Sequence, residues 1–320
     1  VTCECGEVIS SETAACTDED KDTKCDICGE VVYEIKPVNI TSANMTLGNE
    51  LKLNFIVKKS DVGSDVYTAK IYQDGKETLE MELAEYNATY MYAPRGVAAK
   101  EMTDQLSIEL YDANGYLVSE PYSKSIKDYA DAMMARTSDA KLKALLVDML
   151  NYGTEAQNFF SYNTGNLANA DLTEEQQGFA TGSVEVNDYR VKGTNYAGTV
   201  LSLEDSILLG AVFNGITNSD VTGLTATVEF TNYRDNVITG DCAVTAHTAT
   251  RARVTVNQIV LADSRSVVTV KLYKDGELVG ECQDSVESYA ARSLAAGANT
   301  VALNDTIMKF STSAKDYLLK

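Results

Sequence analysis

The chain has 320 residues, of which 44% are apolar, and a formal net charge of −20. This length and apolar content are enough for two hydrophobic cores, so two domains are the first expectation. The acidic balance argues against nucleic acid and anionic membrane surfaces as partners, because both attract basic patches. No run of about 18 consecutive apolar residues occurs, so we expect no membrane insertion in this fragment. The chain opens at Val1, which leads us to expect a mature fragment without its targeting segment.

The first 28 residues hold five of the seven cysteines. Cys3 and Cys5 form one closely spaced pair, and Cys25 and Cys28 form a second pair that glycine follows. Two such knuckles predict a structural zinc site with four sulfur ligands, which would hold together a segment too short to bury a core. Cys16 is the fifth sulfur, and it either replaces Cys3 or Cys5 as a ligand or stays outside the site.

Two alternatives to zinc remain open for residues 1–33. The cysteines can pair as disulfides, or the segment can be the truncated remnant of a longer array. Residues 18–22 (Asp-Glu-Asp-Lys-Asp) imitate the start of a calcium loop. However, Thr23 stands at the sixth position, where glycine is needed, and Gly29 stands at the twelfth, where a bidentate glutamate is needed. Calcium is therefore not predicted.

Most of the remaining chain carries the same ordered signals twice. Residues 47–51 are echoed by residues 203–207, and residues 106–111 by residues 268–273, with offsets between about 156 and 162 residues. The apolar positions are kept and the polar ones vary, which is typical of a scaffold used in tandem. We name residues 34–177 repeat 1 and residues 178–320 repeat 2.

Strand periodicity dominates the first two thirds of each repeat. Residues 51–57 and 106–110 alternate between apolar and polar side chains, and residues 268–272 repeat the second pattern. Asp-Gly pairs at 74–75 and 275–276 are typical of hairpin turns, because glycine supplies the positive φ that these turns need. About six or seven short strands per repeat predict an antiparallel sandwich of immunoglobulin-like type.

The last third of each repeat changes to the period of a helix. In repeat 1 the apolar residues predict a pair of helices on either side of residue 138, and residues 286–314 predict the matching pair in repeat 2. Ser138 or Asp139 is expected to cap the second helix of repeat 1, and Asn299 or Thr300 its counterpart.

The predicted fold is mainly β with α. It has two tandem immunoglobulin-like β-sandwiches, each followed by a helical hairpin, behind a small zinc-ribbon-like segment rich in cysteine. The predicted domains are residues 1–33, 34–177 and 178–320.

Two segments resemble a known kind of protein. Residues 145–157 end in Tyr-Gly-Thr-Glu-Ala-Gln, and together with residues 125–129 (Ser-Ile-Lys-Asp-Tyr) they resemble a module of large uncharacterised surface or secreted proteins of anaerobic Gram-positive bacteria. Residues 20–29 resemble small cysteine repeats in the same kind of protein. Repeat 2 departs from the pattern, with Phe310 and Ser311 in place of the tyrosine and glycine. The resemblance implies an extracellular or cell-surface location and no established activity.

Catalytic motifs are scarce in the sequence. His247 is the one histidine, and it stands in an alternating stretch that predicts a strand. A nucleophilic pair with Cys242 is formally possible, but strand spacing gives no reason for the two side chains to meet. No Gly-x-Ser-x-Gly elbow or phosphate-binding glycine loop occurs, so the chain is predicted not to be an enzyme. Whether Cys242 and Cys282 form a disulfide or remain thiols is open.

Tyr90 and Tyr92 are the candidate ligand-binding residues. They point to the same side of a predicted strand, with Tyr86 nearby, and such rings offer apolar area together with a hydroxyl. Packing within the protein is the alternative role. The predicted function is a non-enzymatic adhesion or spacer protein at the cell surface, whose partner is an unknown envelope protein or glycan. The alternative is a carbohydrate-binding component of a secreted polysaccharide-handling protein.

Overall fold

The protein is mainly β, with several antiparallel sheets and some helices. In the computed structural model, the described residues are 16–63, 65–203, 206–217 and 221–320. Two compact units are present: unit 1 comprises Val1–Met45, Leu53–Arg95 and Asp104–Ser125, and unit 2 comprises Thr46–Lys52, Gly96–Thr103 and Ile126–Lys320. The division into domains 1–33, 34–177 and 178–320 stays a prediction.

The strands of repeat 1 form two four-stranded sheets. In spatial order the first sheet consists of β1 (Ile40–Leu47), β2 (Leu51–Lys58), β6 (Tyr90–Gly96) and β5 (Ala84–Glu85). The second consists of β4 (Lys76–Glu82), β3 (Thr68–Gln73), β7 (Leu106–Tyr111) and β8 (Tyr122–Lys124). Burial alternates along β7 as its sequence predicts, so Leu106, Ile108 and Leu110 face inward. In unit 1 the Phe55 ring of the first sheet meets the Tyr122 ring of the second edge-on, with centroids 6.1 Å apart.

The strands of repeat 2 form one eight-stranded sheet. In spatial order it consists of β10 (Tyr196–Ser202), β11 (Leu208–Asn214), β14 (Arg251–Val256), β13 (Val237–Thr248), β12 (Leu224–Thr231), β15 (Val268–Lys274), β16 (Glu277–Asp284) and β9 (Val191–Lys192). The first half of β13 pairs with β12, and its second half pairs with β14. The single strand β13 therefore takes the place of two separate strands of repeat 1, β5 in the first sheet and β4 in the second.

Once β13 is counted twice, each strand of repeat 1 has a counterpart in repeat 2, where the edge strand β9 is additional. The order β1-β2-β6-β5 matches β10-β11-β14-β13, and β4-β3-β7-β8 matches β13-β12-β15-β16. The strand registers agree with the sequence repeat, since Thr68 lies opposite Tyr111 and Thr225 lies opposite Tyr273.

Helices follow the strands of each repeat where the 3.6-residue period predicts them. The helices of at least ten residues are α2 (Ile126–Arg136), α3 (Ala140–Phe160), α5 (Val286–Ala295) and α6 (Val301–Leu318). Short helices are α1 (Lys59–Val62), α4 (Glu174–Gln177) and the 3-10 turns Ala99–Glu101, Val221–Gly223 and Leu261–Asp263. Within the part of the chain that the structure describes, no helix has the length and hydropathy needed to cross a membrane.

The predicted caps differ between the two long helices. Asp139 caps α3, because its carboxylate accepts hydrogen bonds from the backbone N–H groups of Lys141 at 2.9 Å and Leu142 at 3.3 Å. Thr300 precedes α6, but its side chain makes no capping bond. Its hydroxyl instead contacts the Ser293 hydroxyl at 2.7 Å.

Within unit 2, α3 and α6 pack antiparallel. The ammonium of Lys141, at the start of α3, donates to the carbonyl of Asp316 at 3.0 Å, near the end of α6. Halfway along the pair, the rings of Tyr152 and Phe310 lie 5.9 Å apart. These two residues hold matched positions in the two repeats, so the helices meet through equivalent faces.

Candidate functional site

The sulfur atoms of Cys16, Cys25 and Cys28 lie within 4.8 Å of one another. Cys25 is buried and the other two are half-buried, and together the three could bind a metal ion. Cys16 is disulfide-bonded in this structure, whereas Cys25 and Cys28 carry thiols. The two other predicted ligands, Cys3 and Cys5, lie outside the described residues.

A tight hairpin positions this cysteine cluster. The N–H of Gly29 donates to the carbonyl of Cys25 at 2.8 Å, with a φ of +76° at the glycine that favours a residue without Cβ. Hydrogen bonds to the Cys25 sulfur, first from the backbone N–H of Cys28 and then from those of Ile27 and Thr17, lower the pKa of its thiol, and burial opposes them. Such bonds stabilise a thiolate, which is the form that ligates metals.

The loop between Cys16 and Cys25 gathers three carboxylates. Oxygens of Asp18, Asp20 and Asp22 lie within 4.8 Å of one another. The Asp18 carboxylate accepts from the backbone N–H groups of Asp22 at 3.1 Å and Thr23 at 3.0 Å. These bonds close the loop and bring its two flanking cysteines together.

Aromatic contacts fix the segment after this cluster within unit 1. The ring of Tyr33 stacks on that of Tyr116, with centroids 4.0 Å apart and an interplanar angle of 3°. The Tyr33 hydroxyl donates to Asp112 at 2.5 Å. Burial, followed by a hydrogen bond to Asp18, raises the pKa of Tyr116 to about 12. The cysteine-rich segment therefore rests on the turn between β7 and β8.

The candidate tyrosines Tyr90 and Tyr92 lie on β6. Tyr92 meets Tyr86, with centroids 5.3 Å apart and an angle of 56°. Tyr86 is 44% exposed, and its hydroxyl accepts from the side-chain amide of Asn44 at 3.2 Å. Tyr90 uses its carbonyl to close the turn, accepting from the N–H of Tyr86 at 3.0 Å. The rings that meet are therefore those of the exposed Tyr86 and the half-buried Tyr92, and Tyr90 is also half-buried.

Cys242 and His247, the formally possible nucleophilic pair, are not brought together. Cys242 and His247 lie on β13, five residues apart on an extended strand that rises about 3.4 Å per residue. The His247 side chain is exposed, whereas Cys242 is half-buried. Burial raises the pKa of the Cys242 thiol to about 11, which disfavours the nucleophilic thiolate.

The two cysteines of repeat 2 are free thiols. Cys242 lies on β13 and Cys282 on β16, and β12 and β15 separate them. Three strand spacings of about 4.8 Å place them roughly 14 Å apart, which is too far for a disulfide. Burial also raises the pKa of Cys282 to about 12.

A small pocket of about 50 Å³ lies inside unit 2 between matched segments of the two repeats. Its lining includes four matched pairs, which are Leu47 and Leu203, Glu50 and Ser206, Leu51 and Ile207, and Tyr152 and Phe310. Tyr152 is 6% exposed, and burial raises the pKa of its phenol. Among the described residues, none hydrogen-bonds to the Tyr152 hydroxyl.

The backbone around this pocket is held by contacts between the matched segments. Glu50 and Ser206 form an isolated antiparallel bridge, and the N–H of Ile207 donates to the carbonyl of Asn49 at 3.1 Å. Contacts between equivalent residues are the signature of a two-fold relation. Sequence reasoning found the repeated segments but missed that they face each other. The one available signal was the strong match of residues 47–51 with residues 203–207.

Comparisons with known proteins place the chain in no family. No family model matches it, and no curated protein matches it. A crystal structure of pullulanase complexed with maltotriose, from Anoxybacillus sp. LM18-11, is similar at 10% identity and a TM-score of 0.17. That match covers 74% of this chain and 25% of the pullulanase chain. A second crystal structure of pullulanase from this source has a TM-score of 0.16, at 10% identity, over 74% and 24% of the two chains.

The chain therefore spans about a quarter of the length of the pullulanase. At TM-scores this low, the similarity carries no argument about fold or activity.

Proposed function

We propose that the chain is a non-enzymatic adhesion or spacer component of an extracellular or cell-surface protein. The observation that carries the proposal is the joint between α3 and α6, where equivalent residues of the two repeats pack together. Tyr152 and Phe310 are both buried in this joint. These rings are shielded from water only while α3 and α6 stay packed, so the joint favours a helix pair that remains assembled.

We further propose that each repeat is an immunoglobulin-like sandwich followed by a helical hairpin. The corresponding strand orders support this arrangement, as does the cross-sheet contact between Phe55 and Tyr122 in unit 1. Folds of this kind present ligands in loops and on outer faces rather than in a deep catalytic cleft.

Limited proteolysis tests the joint. Phe310→Ala removes the ring that Tyr152 meets, so we expect faster cleavage in residues 161–190, which connect the repeats. Phe159→Ala is the control, because that ring is 38% exposed at the end of α3. Unchanged cleavage of Phe310→Ala would contradict a helix pair that the joint keeps assembled. Turnover of a polysaccharide, ester or peptide substrate by the purified chain would contradict the non-enzymatic assignment.

Carbohydrate binding in a polysaccharide-handling protein is the second candidate. The pair of exposed Tyr86 and half-buried Tyr92 favours it, because two tilted rings offer apolar area to sugar rings and hydroxyls to their oxygens. A glycan array should show saturable binding that is lost in Tyr86→Ala/Tyr92→Ala. Tyr189→Ala is the control, since Tyr189 is 54% exposed and lies in unit 2. Equal binding by the double variant and the control would rule out this surface.

We also propose that the cysteine cluster holds structural zinc. The neighbouring thiols of Cys25 and Cys28 support the site, with Cys16 as a third ligand once its disulfide is reduced and Cys3 or Cys5 as the fourth. Protein purified under reducing conditions without chelator should contain about one zinc per chain. Cys25→Ser should lose that zinc, whereas Cys242→Ser should keep it. Metal-free protein whose N-terminal cysteines are oxidised in pairs would support the disulfide alternative instead.

A further inference from the structure

The outer face of the β13-β12-β15 ladder in repeat 2 forms an open groove of about 410 Å³. Burial alternates strictly along β12, so Ala226, Val228 and Phe230 point into the core and the residues between them point outward. The outward side chains that line the groove are Thr227, Glu229, Thr239, Asp241, Thr269, Lys271 and Tyr273.

The same face of repeat 1 is closed by its own side chains. Lys70 lies opposite Glu80 and Glu109 in the strand register. Its ammonium lies 3.4 Å from the Glu80 carboxylate and 5.4 Å from the centre of the Tyr111 ring. The Tyr111 hydroxyl donates to Glu109 at 2.6 Å. Ion pairs and a cation–π contact therefore occupy this face.

Repeat 2 keeps the tyrosine and has different residues at the other three of these four positions. Thr227 lies opposite Asp241 and Lys271, so it holds the position of Lys70. A threonine is too short to reach over the ring of Tyr273, which holds the position of Tyr111. Among the described residues, none pairs with the side chains of Tyr273 or Asp241. Lys271 lies 3.8 Å from Glu281, at the rim.

The groove therefore offers one half-buried aromatic ring that no lysine covers, a set of threonine hydroxyls, and carboxylates that have no partner among the described residues. A ring face and nearby hydrogen-bonding groups complement a sugar, which has an apolar face and hydroxyls at its edge. The carboxylates of Glu229 and Asp241 outnumber the ammonium of Lys271 in the groove, and the chain carries a net charge of −20. Both features repel anionic ligands.

We propose that this face of repeat 2 binds a neutral oligosaccharide, with Tyr273 as the stacking ring. This surface goes beyond the proposed function, because a spacer needs no such groove. It is also independent of the Tyr86–Tyr92 pair, which lies in unit 1.

Calorimetry with the full chain and neutral oligosaccharides tests the proposal. Tyr273→Ala removes the ring, and Thr227→Lys installs the lysine that closes the same face in repeat 1. Both should raise Kd at least about tenfold. The control is Tyr111→Ala, at the matched position of the closed face, which should leave Kd unchanged. Thr227→Lys keeps the proposal testable if Tyr273→Ala does not fold, and thermal unfolding checks each variant.

Three results would overturn the proposal. One is no binding of any neutral oligosaccharide, and another is preferential binding of anionic saccharides or of peptides. The third is binding that Tyr273→Ala and Thr227→Lys leave intact. Binding lost in Tyr86→Ala/Tyr92→Ala but kept in Tyr273→Ala would support the unit 1 pair and reject this groove.

Discussion

The two repeats share their buried positions and differ on their outer faces. Ile71 and Val228 are both buried at matched positions, whereas Lys70 and Thr227, one residue before each, give one face that is closed and one that is open. Burial constrains the inward residues of both strands in the same way, because a strand must keep its apolar side toward the core. The outward residues are free to vary, so differences in binding between the repeats are expected there.

The repeats also differ at the last strand before the helices. In repeat 2, Asp284 is 2% exposed and receives two bonds from Arg292, at 3.1 Å and 2.7 Å. The hydroxyls of Tyr196 and Thr199 and the N–H of Ser285 also bond to this carboxylate. Lys124 holds the matched position in repeat 1, since Lys124 and Asp284 pair with Leu106 and Val268 respectively.

Removing this carboxylate should give the largest effect. Asp284→Ala leaves the Arg292 guanidinium with Asp188 as its other acidic partner. It also removes the acceptor that the Tyr196 and Thr199 hydroxyls share, although these two still bond to each other, so we expect a loss of about 3 kcal/mol in the free energy of unfolding. The matched change, Lys124→Ala, should alter it by less than about 0.5 kcal/mol. Urea denaturation of both variants measures the difference. Equal losses in the two variants would mean that the difference between the repeats at this position does not contribute to stability.

The next test exchanges a matched pair on the long helices. A Cβ at Gly153 would lie 2.7 Å from the sulfur of Met102 and 3.3 Å from the carbonyl of Ala99. Gly153→Ser should therefore destabilise the fold by about 2 kcal/mol through overpacking. Ser311→Gly, at the equivalent position of α6, should cost about 1 kcal/mol through helix propensity. Gly153→Ser that is as stable as the wild type in urea would show that the packing around α3 can adjust.

Several elements were predictable from the sequence because they depend on local rules. The Asp-Gly turns have positive φ at both residues, 51° and 77° at 74–75 and 52° and 83° at 275–276, as the hairpin signal requires. The helices lie where the apolar period changes, and Asp139 caps α3 as expected.

The features that sequence reasoning missed depend on contacts between distant segments. Alternation predicts that Tyr90 and Tyr92 share a side of β6 with Tyr86 nearby, but it does not predict that the rings of Tyr86 and Tyr92 meet across the turn. The pocket beside Tyr152 was also missed, because periodicity identifies a buried face and not the segment that covers it.

A smaller effect is expected from the ring pair at the pocket. The Tyr152 hydroxyl has no hydrogen-bond partner among the described residues, and its matched residue in repeat 2 is Phe310. Tyr152→Phe should therefore leave stability unchanged or raise it by up to about 1 kcal/mol. Tyr152→Ala should lower it by several kcal/mol, since it opens a cavity. A marked loss in thermal stability for Tyr152→Phe would reveal a partner for this hydroxyl, such as a bound water.

The smallest effect concerns the side-chain cap at the start of a helix, which α3 has and α6 lacks. A hydrogen bond from Lys320, together with those from the Leu142 and Lys141 N–H groups, lowers the pKa of the Asp139 carboxyl, and burial opposes them. A lowered folded-state pKa gives stability that is present above the unfolded value of about 3.9 and is lost as pH falls through the folded value.

Asp139→Asn keeps an acceptor for the helix N–H groups but removes the charge, so it separates these two contributions. We expect its urea midpoint to lie below that of the wild type near neutral pH, with the gap closing as the solution is acidified past the folded pKa. Ser138→Ala, an exposed neighbour without charge, should show a gap that does not change with pH. Thr300→Ala should also be independent of pH, because that residue gives α6 no side-chain cap. A gap for Asp139→Asn that persists in acid would assign the stabilisation to cap geometry and not to the charge.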